Sequence, residues 1–371
     1  MDIPHLDALK RWLLPSPWNA APPTARTLRI VFGLWILAFI LKHAGASWDV
    51  AWHFRFLRDD LAPPHILNLA GNAIGEALIG FHLYTGIAVA RRGFALLMIG
   101  FALFLAAIPL DVLKHRLFGL DVTIWSFPHM MFFFGSTLAL IGLLEMWLQL
   151  AAPDRWKTVY TFVFLTLLMD CVIFVLGQHE YGVLSVDAYV RGRPTASSDL
   201  LALAGGNVAR FAVGNVPLWI YPIWMVLAGT AALIWARHVQ PGRWTATIVA
   251  TLYLSYRGVA FMLFSAAGFP PSFIPIMLLG AALVVDLAGG WHWRPVATSV
   301  ALLLAFYGGA GRVGQFTLMP AFAPETALVV AGPLWLIVAG GQRQFRADVT
   351  YARIAVLLGH VKQLAFWWRT N

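Results

Sequence analysis

Residues 47–65 read S-W-D-V-A-W-H-F-R-F-L-R-D-D-L-A-P-P-H and lie between two long apolar runs. The chain is 60% hydrophobic and only 12% charged, so the crowding of ionisable side chains in this stretch indicates a function. Asp49 and His53 stand four residues apart, which places a carboxylate and an imidazole on one face of a helix. Pro63 and Pro64 then break the helix, and His65 opens the next apolar run. The segment therefore predicts a small metal site made by Asp49, His53 and His65.

Residues 111–129 repeat this arrangement and read D-V-L-K-H-R-L-F-G-L-D-V-T-I-W-S-F-P-H. Asp111 and His115 are again four residues apart, and His129 follows Pro128 where the next apolar run begins. A single Asp-x-x-x-His pair is weak evidence, because helices contain such pairs by chance. The doubled pattern favours one polar site that both segments supply, and the plainer alternative is a pair of salt-bridged or capping loops.

The apolar runs along the whole sequence predict an all-α, polytopic integral membrane protein. Its 371 residues contain repeated apolar runs near or above the length that crosses a bilayer as a helix. The alternating ten-residue strands of a membrane barrel are not visible. We expect about ten transmembrane helices, at residues 27–46, 65–90, 94–114, 127–150, 157–178, 217–237, 244–267, 272–289, 295–311 and 325–341.

Basic residues predict the orientation of these spans. In a ten-span arrangement the Lys and Arg residues of the short loops and of the tail all fall on one side. The positive-inside rule assigns that side to the cytoplasm of a bacterial-type inner membrane. Both termini are then cytoplasmic, and both Asp/His segments lie toward the outer face. Because these loops explain the net charge of +9, the charge does not indicate a nucleic-acid partner.

Composition divides the chain into four parts. Residues 1–25 hold a short amphipathic stretch that is expected to lie on the membrane surface. Residues 26–150 contain both Asp/His segments and form a metal-binding transmembrane bundle. Residues 151–341 add further transmembrane helices, and residues 342–371 form a basic cytoplasmic tail.

The available donor atoms restrict the metal. Cys171 is the sole cysteine and lies in an apolar run, so neither a disulfide framework nor a thiolate cluster is expected. Imidazole and carboxylate ligands suit copper, zinc, iron or manganese. The sequence therefore predicts a site made of nitrogen and oxygen donors.

Polar residues inside the second predicted span form one helical face, made of His65, Asn68, Asn72 and Glu76. Such groups are costly at membrane depth unless they face a bundle interior or a cavity. The two amides are explained equally simply by hydrogen bonds between helices. Glu76 is the acid best placed to support a metal ligand or to supply protons. Lone polar residues elsewhere are interpreted as satisfied packing residues: His82, Glu145 and Asp170.

The first segment resembles the metal-binding stretch of the C subunit of particulate methane and ammonia monooxygenases, the copper membrane monooxygenases. The shared pattern is D-x-x-W-H-x4-R-D with a closing P-P-H, and the matching residues are Asp49, Trp52, His53, Arg58, Asp59, Pro63 and His65. The interval from His53 to His65 is one residue shorter than in the family. The resemblance covers about residues 27–150.

The second segment is similar to a later stretch of the same family, in which an Asn precedes a His by four residues and another His follows fourteen later. His115 and His129 match this pattern, whereas Asp111 replaces the Asn and adds negative charge. The resemblance implies one copper site at Asp49, His53 and His65. It also implies an adjacent or alternative site formed by Asp111 and His115 that shares His65.

The resemblance further implies a monooxygenase-like activity, in which dioxygen oxidises a small or hydrocarbon-like substrate dissolved in the membrane. Acids near the metal, Asp59 and Glu76, would supply protons, and an outside donor such as a quinol would supply electrons. The implied partners are membrane lipid and either further membrane subunits or additional copies of the chain. Zinc and iron are the alternative cofactors.

Two other functions fit the same residues. A zinc site that activates water would make a membrane hydrolase, and Asp/His clusters that bind a passing ion would make a metal ion transporter. Against transport by repeated halves, the later half of the chain lacks the motif. Against hydrolysis, no serine or glutamate stands in a recognisable catalytic setting.

Overall fold

A computed structural model of the protein describes residues 23–53, 62–118, 126–173, 224–269, 274–287 and 300. All regular structure within these ranges is helical. A short π-helical turn, Met225–Gly229, leads directly into the sixth α-helix. The α-helices are α1 (Ala25–His53), α2 (Pro63–Thr85), α3 (Arg91–Phe118), α4 (Phe127–Leu150), α5 (Arg155–Ile173), α6 (Thr230–Val239), α7 (Thr245–Ala266) and α8 (Met277–Leu287).

Six of the described helices, α1 to α5 and α7, are long and apolar enough to cross a membrane. This confirms the predicted all-helical, multi-pass class. The described residues of helix α8 number 11, fewer than a membrane span needs. The predicted spans at 295–311 and 325–341 lie outside the described residues except for residue 300, so the count of ten stays a prediction.

Helix α2 ends at Thr85, earlier than the predicted end of that span at residue 90. Gly86 adopts a left-handed conformation with φ 65°, and its N–H bonds to the His82 carbonyl, which satisfies one of the last free carbonyls of the helix. Ala88 also has a positive φ of 58°. Hydropathy extended the predicted span because the residues after Gly86 remain apolar although the helix has stopped.

Glycines bring the backbones of α3 and α4 close together. A Cβ atom at Gly135 would lie 2.6 Å from the Gly100 carbonyl oxygen and 2.8 Å from the Phe104 nitrogen. In the same way, a Cβ atom at Gly93 would lie 2.6 Å from the Gly142 carbonyl oxygen. Small residues at such positions are how membrane helices gain van der Waals contact.

Replacing Gly135 by Ala is therefore expected to lower the thermal midpoint of the detergent-purified protein, because overpacking costs about 1–3 kcal/mol. Gly80 is the matched control, since no atom of the described structure lies within 4 Å of the Cβ that Ala would add there. Ala is also the better helix former, so Gly80→Ala should keep or raise the midpoint. Equal losses in the two variants would contradict this packing.

Side-chain contacts show that α1 and α3 run in the same direction. The ring of Trp35 lies 6.3 Å from the ring of Phe101. Two turns further along α1, Lys42 Nζ lies 3.2 Å from the centre of the Phe104 ring. Contacts thus advance together along both helices, and the carboxyl ends of α1 and α3 lie at one end of the bundle.

Helix α5 runs in this direction as well. The Tyr160 hydroxyl donates to the Arg29 carbonyl near the start of α1, and His43 contacts Asp170 near the end of both helices. Helix α2 runs the opposite way, since its early residue Asn68 packs against the late α1 residue Gly45. The end of the bundle where α1, α3 and α5 finish and α2 and α4 begin is called the Asp/His end below.

Basic side chains gather at the opposite end of the bundle. The Arg29 guanidinium lies over the Trp156 ring, 5.8 Å from its centre. Lys157 Nζ donates to two backbone carbonyls at the carboxyl end of α4, at 2.6 and 3.0 Å. Arg92 Nε lies 3.5 Å from Glu145 Oε1. This end is called the basic end, and it is defined by Arg29, Arg92 and Lys157.

Candidate functional site

The first Asp–His pair joins Asp49, near the end of α1, to His65 in the first turn of α2. His65 Nε2 lies 2.8 Å from Asp49 Oδ1. Helix α2 begins with Pro63 and Pro64, whose fixed φ suits a first helical turn and whose missing N–H is not needed there. The proline start thus turns the chain and directs His65 back toward Asp49. The two side chains are 33% and 26% exposed, so the pair is accessible from this end.

The second pair is built in the same way from Asp111 of α3 and His129 of α4. His129 Nε2 lies 3.2 Å from Asp111 Oδ1, and the side chains are 19% and 20% exposed. Ser126 precedes α4 in an extended conformation without a side-chain capping hydrogen bond, and Pro128 occupies the first turn. Both pairs therefore consist of an Asp near the end of one helix and a His just after the proline that starts the next.

The two pairs lie at one depth in the bundle. Asp49 is seven residues beyond Lys42, and Asp111 is seven residues beyond Phe104. Seven residues make about two helical turns and a rise of about 10 Å, so each Asp lies nearly above its reference residue. Because Lys42 contacts Phe104, this spacing places both Asp residues at a similar depth of the bundle. Pro109 lies between Phe104 and Asp111 and interrupts the hydrogen-bond ladder of α3. The spacing therefore gives the depth of Asp49 and Asp111 in the bundle but not the distance between these two residues.

The donor atoms of each pair fit a first-row metal ion. Two ligand atoms, each about 2.0–2.2 Å from one ion, stand about 3 Å apart when the angle between them is near a right angle. The nitrogen–oxygen separations of 2.8 and 3.2 Å match this value, and they equally suit a direct contact between imidazole and carboxylate. Within the described residues, no three His, Cys, Asp or Glu side chains form one group able to hold a metal. The described donors thus form two separate pairs.

Only some of the remaining predicted metal ligands and acids lie within the described residues. The side chains of His53 and His115 lie outside the described residues, as does all of Asp59. The predicted three-ligand sets therefore stay predictions. Glu76 is described and lies on an exposed side of α2. The structure thus brings together Asp49 with His65 and Asp111 with His129, and it does not bring Glu76 to either pair.

Two amide side chains, Asn68 and Asn72, follow His65 along α2 and point toward the interior of the bundle. Asn72 is 5% exposed, and the backbone of Asn68 packs against Gly45 of α1. The polar face predicted for this helix is therefore directed inward at Asn68 and Asn72 but outward at Glu76. Helix α2 packs on α1 along a narrow face, and only some of these polar residues lie on that face.

An apolar cavity of about 240 Å³ lies among α4, α5 and α6. Met130, the residue after His129, lines it, and the cavity continues along α4 past Phe133 and Thr137. Cys171 of α5 and Trp224 form parts of the facing wall. The cavity thus offers a binding space for a small apolar molecule that reaches from the Asp/His end toward the middle of the bundle.

A cluster of buried polar residues, called the buried cluster below, joins α1, α5 and α7. His43 Nδ1 lies 2.9 Å from Asp170 Oδ2, and His43 Nε2 lies 3.3 Å from Cys171 Sγ. Arg257 donates to Ser47 Oγ at 3.0 Å and lies 3.9 Å from Asp170 Oδ1. His43 is 7%, Asp170 3% and Arg257 0% exposed. Such groups persist at membrane depth only with partners, and these residues supply partners to one another.

Asp170 was predicted to be an isolated packing residue, and the buried cluster was not predicted from the sequence. A signal was present, because His43 and Arg257 are ionisable residues inside spans that are otherwise apolar. The interpretation of His82 as a packing residue agrees with the structure. Its Nε2 accepts a hydrogen bond from Trp35 Nε1 at 3.0 Å, and its Nδ1 lies 2.8 Å from the Ile87 carbonyl oxygen.

The described site thus combines two imidazole–carboxylate pairs, an apolar cavity along α4 and a buried charged cluster below. Comparisons with protein-family models, curated proteins and solved structures found no match to this chain. The function is therefore argued from the chemistry of the residues and from the resemblance stated above.

Proposed function

We propose that the protein is a membrane-embedded, metal-dependent monooxygenase-like enzyme that uses copper and oxidises a small or hydrocarbon-like substrate with dioxygen. The observations that carry the proposal are two Asp–His pairs at a similar depth of the bundle and an apolar cavity along α4, whose lining begins at Met130, the residue after His129. Imidazole nitrogen and carboxylate oxygen suit copper, and also iron and zinc. The resemblance to the copper membrane monooxygenases favours copper among these metals.

The residues of the chain have distinct roles in this proposal. Asp49 and His65 hold one metal ion together with His53, and Asp111 and His129 hold a second together with His115. Bound copper would supply the binding and reduction of dioxygen. The apolar cavity that Met130 and Phe133 of α4 line takes the apolar substrate from the bilayer and excludes water from it. Partial exposure of both pairs leaves a route for protons from the aqueous side.

The same proposal orients the protein in a bacterial-type inner membrane. The basic end, with Arg29, Arg92 and Lys157, faces the cytoplasm by the positive-inside rule. The Asp/His end then faces outward, where a quinol in the outer leaflet is placed to supply electrons. Lipid surrounds the exposed apolar side chains of the six candidate spans.

Oxygen consumption by the copper-loaded protein, driven by a reduced quinol, tests this function. Short alkanes, ammonia and longer hydrocarbons are offered in turn, and we expect a substrate-dependent rate that His65→Ala or His129→Ala lowers at least about tenfold, as losses around a metal site do. His238→Ala is the control, because His238 lies in the last turn of α6 and belongs to neither pair.

Other outcomes of this experiment would point to the competing functions. Metal uptake into vesicles without oxygen consumption would identify a transporter. Ester or amide hydrolysis that requires zinc would identify a hydrolase. An unchanged oxidation rate in both His variants would reject the proposed enzyme.

A further inference from the structure

Part of the buried cluster has the geometry of a thiol nucleophile with its base. Cys171 Sγ lies 3.3 Å from His43 Nε2, and the other nitrogen of this ring, Nδ1, lies 2.9 Å from Asp170 Oδ2. Thiol, imidazole and carboxylate in this order correspond to a nucleophile, its base and the group that orients the base. A carboxylate at Nδ1 favours the tautomer with its proton there, which leaves Nε2 able to accept the thiol proton.

The thiol of this group also lines a cavity. Cys171 is 4% exposed and belongs to the wall of the apolar cavity of about 240 Å³ that α4, α5 and Trp224 enclose. A reagent therefore reaches Cys171 through the cavity rather than through water. The volume is slightly below the range of about 300–1,000 Å³ typical of pockets for drug-sized ligands, so a short or medium-length apolar chain fits it best.

A purely structural role explains only some of these contacts. Asp170 Oδ1 faces Arg257, and Asp170 Oδ2 contacts His43. These contacts link α5 to α7 and to α1. These ion pairs would hold the helices together with any small apolar residue at position 171. The contact of His43 Nε2 with a thiol, and the cavity beside that thiol, are the observations that a structural role leaves unexplained.

We propose that Cys171 is a nucleophile that accepts an acyl group from an acyl thioester whose apolar chain occupies the cavity, with His43 as its base and Asp170 as the residue that positions His43. The thiol proton moves from Sγ to His43 Nε2, and Sγ forms a bond to the carbonyl carbon. The bond from that carbon to the sulfur of the thioester breaks. The leaving thiolate takes the proton from Nε2, so the products are S-acylated Cys171 and a free thiol. The reacting residues are separate from the two Asp–His pairs, and the acyl transfer does not depend on the proposed oxidation, although its acyl chain occupies the same cavity as the proposed oxidation substrate.

Labelling of the full chain in detergent tests this proposal. The probe is the N-acetylcysteamine thioester of an alkyne-tagged octanoyl chain, which is neutral and small. Because the chain contains one cysteine, a label that neutral hydroxylamine releases reports Cys171 alone. We expect labelling of the wild type, none in Cys171→Ser, and a rate at least about 100-fold lower in His43→Ala, within the range of general base catalysis.

Asp170→Asn distinguishes positioning from structure. We expect slower labelling and a changed dependence of the rate on pH, since the amide no longer favours the required tautomer of His43. His82→Asn is the matched control, because His82 is a fully buried imidazole that contacts Trp35 rather than the thiol. A folded His43→Ala variant that labels at the wild-type rate, or a His82→Asn variant that is slowed equally, would overturn the proposal.

The dependence of the labelling rate on the length of the acyl chain provides a test that uses the wild-type protein alone. The wild-type protein is labelled with acetyl, octanoyl and hexadecanoyl thioesters of the same leaving thiol. We expect the octanoyl probe to react at least about tenfold faster than the acetyl probe, because each methylene of its chain gains apolar burial in the cavity. Equal rates for the three probes would contradict a cavity-bound acyl donor.

Discussion

Replacing His65 by Ala is expected to remove about half of the copper that the proposed metal sites take up, and replacing His129 by Ala should remove the other half. The reason is that the described donors form two separate pairs, Asp49 with His65 and Asp111 with His129. Even residues that only support a metal ligand typically contribute about 10–100-fold to metal affinity, and a direct ligand should contribute at least as much. The double variant is expected to bind no copper above background.

The measurement is elemental analysis of the protein after copper loading and removal of free metal. His238→Ala is expected to keep the wild-type stoichiometry. All variants should keep their helical circular dichroism, because both pairs are partly exposed and the main packing lies among the apolar faces of the spans. Complete copper retention in the double variant would show that neither pair holds the metal.

Replacing Arg257 by Met is expected to have the largest effect on stability. The Arg257 side chain is fully buried, donates to Ser47 Oγ and lies 3.9 Å from Asp170 Oδ1. Its removal leaves the Asp170 carboxylate buried with fewer compensating charges, and breaking one partner of a buried ion pair typically costs about 3–5 kcal/mol. The thermal midpoint in detergent should therefore fall sharply.

Two further variants separate the effect of charge from the effect of shape. Asp170→Asn combined with Arg257→Met removes both charges, so this double variant should recover part of the lost stability. Arg155→Met is the surface control, because Arg155 is exposed and lies over the Trp156 ring. If Arg257→Met and Arg155→Met lower the midpoint by the same small amount, the buried cluster does not hold α1, α5 and α7 together.

The sequence predicted those parts of the fold that depend on local chemistry. Apolar runs long enough to cross a bilayer predicted α1 to α5 and α7, since burial in lipid requires a helix at those positions. Pro64 and Pro128 correctly marked the starts of α2 and α4. The end of α2 was missed because a left-handed Gly86, rather than a change in hydropathy, stops the helix.

Contacts between distant segments were not predictable in this way. Cys171 and His43 are separated by 128 positions and Arg257 and Ser47 by 210, and no local pattern joins them. The inward or outward direction of Glu76 likewise depends on which helix covers α2. The contacts of Asp49 with His65 and of Asp111 with His129 were easier to predict, since the two residues of each pair are only 16 and 18 positions apart in the sequence.

X-ray absorption spectroscopy at the copper edge tests whether the two Asp–His pairs hold the metal. We expect a first shell of nitrogen and oxygen atoms at about 2.0–2.2 Å, the usual distance for imidazole and carboxylate ligands, with outer-shell scattering from imidazole rings. We also expect no sulfur ligand, because Cys171 lies in the buried cluster against His43 and belongs to neither pair. Loss of the imidazole scattering in the His65→Ala, His129→Ala double variant would complete the assignment. A sulfur ligand in the first shell, or imidazole scattering that the double variant retains, would contradict it.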